Sequence, residues 1–131
     1  MITALYASLC GLLLVKLSLN VIKLRRQHRV MLGDGGQPDL QAAIRTQGNA
    51  SEYIPITLIL MLLLESAGAF WWLIHLAGIA LLSGRLIHVS ALKHASAKRR
   101  VLGMKITFYL IMALSALNIF YLIAGYFFAS Q

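Results

Sequence analysis

Four apolar stretches, separated by short polar segments, dictate the solvent in which this chain folds. The first is "ITALYASLCGLLLVKLSLNVI", residues 2 to 22; the third covers 69 to 92 and the fourth 106 to 128. The second, "IPITLILMLLL" at 54 to 64, reaches full length only if the polar run "DLQAAIRTQGNASEY" forms its first half. A helix needs about 20 residues to cross the hydrocarbon core. In lipid every backbone N–H must pair within its own segment, so the spans are helices and not isolated strands. The expected fold is all-α and integral to the membrane: a four-transmembrane-helix bundle, one domain over residues 1–131, with spans at about 2–24, 38–65, 69–94 and 101–128.

Composition agrees. With 131 residues, 60% of them hydrophobic and only 12% charged, and a mean hydropathy of +0.78, a water-soluble domain of this size could not hide its apolar surface. The first stretch lacks a basic n-region and a small-residue cleavage site before a polar mature chain. It reads as a retained span and not a removed signal peptide.

The formal net charge of +8 sorts by loop. Lys23, Arg25, Arg26 and Arg29 lie between spans one and two; Lys93, Lys98, Arg99, Arg100 and Lys105 lie between spans three and four. The connection "ESAGAF" and the C-terminal tail carry no lysine or arginine. Positive loops stay in the cytoplasm, which places both basic loops there and both termini outside. Much of the charge is thus a topology signal and an attraction to anionic head groups. No aromatic platform or reading motif accompanies it, so nucleic acid is not an expected partner. Without a transit peptide, the expected location is a bacterial inner membrane, with both termini periplasmic.

Cys10 is the only cysteine, with no partner for an intrachain disulfide and no zinc spacing. It is expected as a buried apolar filler. The histidines are too scattered to suggest a metal site. "GDGGQP", 33 to 38, is the clear turn cluster, and Pro38 suits the first turn of the second helix.

The unusual segment is "RTQGNASEYIP", residues 45 to 55. At 100° per residue with Arg45 at zero, Asn49 falls at about 40°, Glu52 at about 340° and Tyr53 at about 80°, while Gln47 points the other way at about 200°. Four polar side chains therefore converge on one side of a membrane helix. One reading is structural: Arg45 and Glu52 as an ion pair two turns apart, with Asn49 bridging helices. The other is a ligand site, the default for intramembrane ionisable groups. An arginine fork takes a carboxylate bidentately, a glutamate takes an ammonium, and Asn and Tyr add directional hydrogen bonds. Arg25 closes span one, and Arg85 and His88 lie on span three, with Arg85 well inside its span and Glu52 as its expected counter-charge. A surplus of cations suits a ligand with two carboxylates and one ammonium, the charge pattern of glutathione.

"RTQGNASEYIP" resembles the signature R-x-Q-x-N-x-x-E-Y-x-P of the MAPEG family, the membrane-associated proteins in eicosanoid and glutathione metabolism, and is similar to the leukotriene C synthase branch in particular. "RRQHRV" at 25 to 30, "GRLIH" at 84 to 88 and the following "KRR" extend the likeness along essentially the whole chain. The resemblance implies a homotrimer of four-helix subunits with glutathione bound between neighbours on the cytoplasmic side. It places Arg45, Asn49, Glu52 and Tyr53 in the site from one subunit and Arg25 and Gln47 from the next. Arg85 completes the cluster, and Arg99, by spacing from "GRLIH", matches the family's thiolate-stabilising arginine. Counting along a helix does not choose between Arg99 and Arg100. The chain departs from the pattern at His88 and Leu92, where family members carry ligand-holding tyrosines.

Three functions compete. The first is a glutathione transferase or peroxidase acting on hydrophobic electrophiles that arrive through the bilayer, with arginine favouring the nucleophilic thiolate. The second is a non-catalytic scaffold or lipid-binding protein of the same fold. The third, a small proton-coupled drug exporter, is disfavoured: the first helix carries Lys16 and no acid, and a glutamate hemmed by arginine is a poor proton carrier.

The charge distribution generates a test of topology. A reporter fused at Gln131 is expected to score as periplasmic; a cytoplasmic score overturns the orientation and puts the polar cluster on the other face.

Overall fold

The computed structural model describes residues 1–130; Gln131, the fusion point for topology, lies outside the described residues. Four helices account for the chain: α1 (Ile2–His28), α2 (Pro38–Ser66), α3 (Trp71–His94) and α4 (Ala97–Ala129). Three of them, α1, α3 and α4, are apolar and long enough to cross a membrane by composition alone. The fourth, α2, is polar in its first half, yet that half joins the apolar run in one 29-residue helix. At 1.5 Å per residue it is about 43 Å long, which exceeds the hydrocarbon thickness of about 30 Å.

Local chemistry explains the element boundaries. After α1, Arg29 turns left-handed at φ 57° and closes the helix through its N–H to the Arg25 carbonyl. The "GDGGQP" turn then uses positive φ at Gly33, Gly35 and Gly36, a region where only glycine is free of strain. Asp34 Oδ1 accepts the Gly36 N–H at 2.9 Å, and Pro38 opens α2 where its missing N–H costs nothing. Between α3 and α4, Ser96 caps α4 by accepting the Arg99 N–H at 3.3 Å.

The packing is a lozenge: α1 meets α2 and α3, α4 meets α3 and α2, and α1 and α4 stand at opposite corners. On α2 the buried residues Leu40, Ala43, Thr46, Ala50, Ile54, Thr57, Met61 and Leu64 recur at three and four, the spacing of one helical face. Tyr6, Cys10, Leu13 and Leu17 of α1 and Ile74 and Leu81 of α3 close the core against it. Cys10 is fully buried there, as its lone occurrence suggested. At the end opposite the basic loops, the Glu65 carboxylate accepts the Thr3 N–H at 2.9 Å and so caps α1 from the end of α2. Trp71, Trp72 and Tyr126 are exposed at that same end, the place of an interfacial aromatic belt.

Lipid offers no hydrophobic drive between helices, so close backbone approach must supply contact energy. Glycine makes two such approaches. A Cβ on Gly78 would run into the Tyr6 ring, and a Cβ on Gly103 would stand 2.7 Å from the Gly84 carbonyl oxygen and 2.7 Å from His88 Cβ.

Overpacking of this kind costs about 1–3 kcal/mol. Gly78→Ala is therefore expected to lower the stability in detergent by that amount, read as a lowered midpoint in thermal melts. Combining it with Tyr6→Ala is expected to cost less than the sum of the two single changes; strict additivity would refute the contact.

Candidate functional site

The polar segment of α2 fans out over three directions. Its buried face is centred about 140° from Arg45, and Arg45 and Glu52 project on the side away from it, both exposed. Asn49 and Tyr53, on one flank, turn toward α3 and α4. Gln47, on the other, turns toward α1 and donates from Nε2 to Ser18 Oγ at 3.5 Å.

Arg85 is the hub of the inner flank. Its side chain is 1% exposed and its guanidinium ties three helices together. Nη1 donates to Asn49 Oδ1 of α2 at 2.6 Å. Nη2 donates to Thr107 Oγ1 of α4 at 2.9 Å and reaches the Gly103 carbonyl oxygen at 3.5 Å. Met104 Sδ lies 3.5 Å from the same nitrogen. Thr107 in turn donates its hydroxyl to the Gly103 carbonyl at 3.0 Å, which aims its lone pairs at Arg85. The narrow Gly84–Gly103 crossing makes this possible, because a side chain there would hold α4 out of the guanidinium's reach.

Two charge pairings raised by the sequence, one as an expectation and one as an alternative reading, are absent among the described residues. Glu52 is not the counter-charge of Arg85; amide, hydroxyl and carbonyl dipoles solvate that cation instead. Nor do Arg45 and Glu52 pair: the ion pairs among the described residues are Met1 with Glu65 and His28 with Asp39. Geometry explains both corrections. Glu52 sits about 60° around the helix from Asn49 and outside the bundle. Seven residues also separate the Arg45 and Glu52 backbones by about 10 Å along the axis, and no third helix of the chain covers the gap.

The remaining residues divide between the cluster and the periphery. Tyr53 packs edge-on against Phe108 of α4, with ring centroids 5.2 Å apart and planes at 76°. His88, one turn beyond Arg85, is 4% exposed with Nδ1 lacking a hydrogen-bond partner among the described residues. Arg25 is turned onto its own loop, donating to the Gly33 carbonyl at 2.6 Å. Arg99 leaves the cluster and donates to Ser90 Oγ at 3.3 Å. With α4 continuous from Ala97, Arg100 lies about 60° from Gly103 and between Thr107 and Met104 in azimuth, the sector of α4 that serves Arg85.

Gly103, Met104, Thr107 and Phe108 are the members that sequence reasoning missed. A hydroxyl four residues after a glycine at the start of an apolar span was the one available sign.

A chain of four membrane helices with a polar cluster sealed on its inner side and open on its outer side is a polytopic membrane protein with a half-built polar site. The MAPEG family model matches residues 3–120. The chain is also 47% identical over 122 residues to the proteins called inner membrane protein YecN in two strains of Escherichia coli, with 93% of this chain and 93% of each relative covered. The chain belongs to the MAPEG family.

The cluster generates a test of its wiring. Asn49→Ala orphans a buried charged donor and is expected to cost about 1–3 kcal/mol of stability. A double-mutant cycle of Asn49→Ala with Arg85→Lys is expected to show coupling of about 0.5–3 kcal/mol, against less than about 0.5 for Glu52→Gln with Arg85→Lys. Strong coupling of Arg85 to Glu52 would restore the ion pair that the sequence suggested.

Proposed function

We propose that this protein is a bacterial inner-membrane glutathione-binding enzyme, a transferase or peroxidase for hydrophobic electrophiles, acting as a homotrimer of one-domain subunits. The observation that carries the proposal is the exposure of Arg45 and Glu52 on a membrane helix. Glu52 stands about 21 Å along α2 from Pro38, near mid-membrane. A charge left facing lipid at that depth costs about 2.5–3.5 kcal/mol or more. Burial against a neighbouring subunit, with a charged ligand between, removes that cost. The outer face of α2 then supplies Arg45 and Glu52 and its flank toward α3 and α4 supplies Asn49 and Tyr53, while Gln47 and Arg25, on the α1 side, belong to the site shared with the next subunit. That division also explains why one short segment points in opposite directions.

In this reading Arg45 takes a glutathione carboxylate and Glu52 its ammonium, with Asn49 and Tyr53 fixing orientation. Arg85 and His88 lie behind them, where the Arg85 guanidinium holds the Asn49 amide in place. A second arginine favours the thiolate, which is the nucleophile. Arg100 is the better placed of the pair, because Arg99 is engaged at Ser90 and Arg100 shares the azimuth of Arg85's partners. The thiolate attacks an electrophile delivered laterally through the bilayer. Basic loops in the cytoplasm put the glutathione entrance on that side.

One observation favours a non-catalytic scaffold or lipid-binding role: both terminal nitrogens of Arg85 are engaged within the chain and brace three helices, leaving Nε as the one guanidinium nitrogen without a partner among the described residues. Glutathione titrated into detergent-purified protein, followed by ultraviolet thiolate absorbance, separates the two. Binding with a thiolate signal is expected; binding without it leaves the scaffold, and no binding defeats the proposal. Arg45→Ala, Glu52→Ala and Gln47→Ala are each expected to weaken binding, the charged pair by roughly 2 to 5 kcal/mol. An unchanged Gln47→Ala removes the shared site. Arg100→Ala is expected to keep affinity, abolish the thiolate signal and slow turnover about tenfold per pKa unit lost; the same loss in Arg99→Ala instead moves the role one residue back.

A further inference from the structure

Lys16 takes no part in the site described above. It stands near the middle of α1, exposed, and the ion pairs among the described residues leave it without a carboxylate. A lysine at that depth is costly unless its ammonium reaches a polar partner. The side chain lines a groove of about 530 Å³ between α1 and α3, floored by the start of α2, in which Lys93 and Asn20 are the other polar donors; Ser90, also on its wall, donates its hydroxyl to the Ile87 carbonyl at 2.6 Å. We propose that this groove binds the phosphate of an anionic phospholipid from the leaflet on the side of the basic loops.

Geometry matches a lipid and not a buried solute. Lys16 and Asn20 are one turn apart on α1, and Ser90 and Lys93 one turn apart on α3, so each pair shares a helix face. From Lys16 to the cytoplasmic rim at Leu24 the groove climbs about 12 Å. A lysine stem can snorkel over much of that depth and meet a headgroup held by Lys93 at the rim. Below the polar rim, Leu86 and Val89 offer an apolar wall for the first part of an acyl chain.

The electrostatics select an anion. Asp39 borders the groove, but its carboxylate is engaged by His28 at 2.9 Å and by the Leu40 N–H at 2.8 Å. Arg99 brings a third cation to Ser90. Basic pockets between membrane helices at the cytoplasmic side take acidic headgroups for this reason.

The groove also stays open in an assembly built through the outer face of α2. On α1, Lys16 lies about 160° from Ser18, the residue that meets Gln47. A neighbour packed on the Gln47 flank therefore leaves the Lys16 flank to lipid. The inference needs a membrane orientation but not the glutathione reading.

The test is native mass spectrometry of the protein purified in mild detergent, exchanged against phosphatidylglycerol, phosphatidylcholine or soluble glycerol 3-phosphate. Selective retention of phosphatidylglycerol is expected. Lys16→Gln and Lys93→Gln should each reduce it about fivefold and together about 25-fold, while Lys16→Arg keeps it. Glutathione affinity is expected to stay unchanged in all of them, so a failure here is distinguishable from a failure of the functional proposal. Equal retention of phosphatidylcholine, tight binding of glycerol 3-phosphate by itself, or full retention in the double variant would each overturn the proposal. Should the double variant not fold, Lys93→Gln at the exposed end of α3 decides alone: unchanged retention overturns it.

Discussion

The polar contacts that join the first half of α2 to α3 and α4 are arranged around one buried guanidinium. Arg85 sits where neither water nor lipid can solvate it, and its hydrogen bonds to Asn49, Thr107 and the Gly103 carbonyl replace that solvation with fixed dipoles from two other helices. Such dipoles serve a cation only if they are close and oriented. The requirement sets the α3–α4 spacing through Gly84 and Gly103 and the rotation of α2 through Asn49. It also makes the cluster structural before it can be anything else.

Once Asn49 is turned inward, the 100° step of the helix leaves no freedom to the rest of the segment. Arg45 and Glu52 must face out and Gln47 must face α1. The charges that look like an ion pair in one dimension are thus held apart and presented outward. Along this segment of α2 the neutral polar groups serve internal cohesion and the formal charges are exposed. An internal ion pair would have quenched the two charges to which the proposed function assigns a zwitterion; the dipole-solvated arginine leaves them unpaired within the chain.

The same rotation divides the surface of the bundle. The α2 side carries charge at mid-membrane depth and needs covering, whereas the outward faces of α3 and α4 are apolar over most of their length. The α1–α3 groove is the exception, an exposed cationic cleft on the side away from Gln47. Net charge alone could not separate these environments, because the loops dominate it.

Sequence alone determined the solvent and the number of helices. Apolar length demands a bilayer, hydrogen bonding in lipid demands helices, and glycine and proline mark the break between the first two helices at Gly33 and Pro38, whereas the cap at Ser96 emerged only with the structure. The signature at 45 to 55 also pointed to the family. What it could not determine was who meets whom. Arg85 was legible as a buried cation in need of a partner, but the partner proved to be Asn49 and a threonine 22 residues further along the chain, and not Glu52. The pairing depends on how close α3 and α4 pack and on which flank of α2 they touch. Those quantities arise from contacts between segments distant in sequence, which helical periodicity within one segment does not encode.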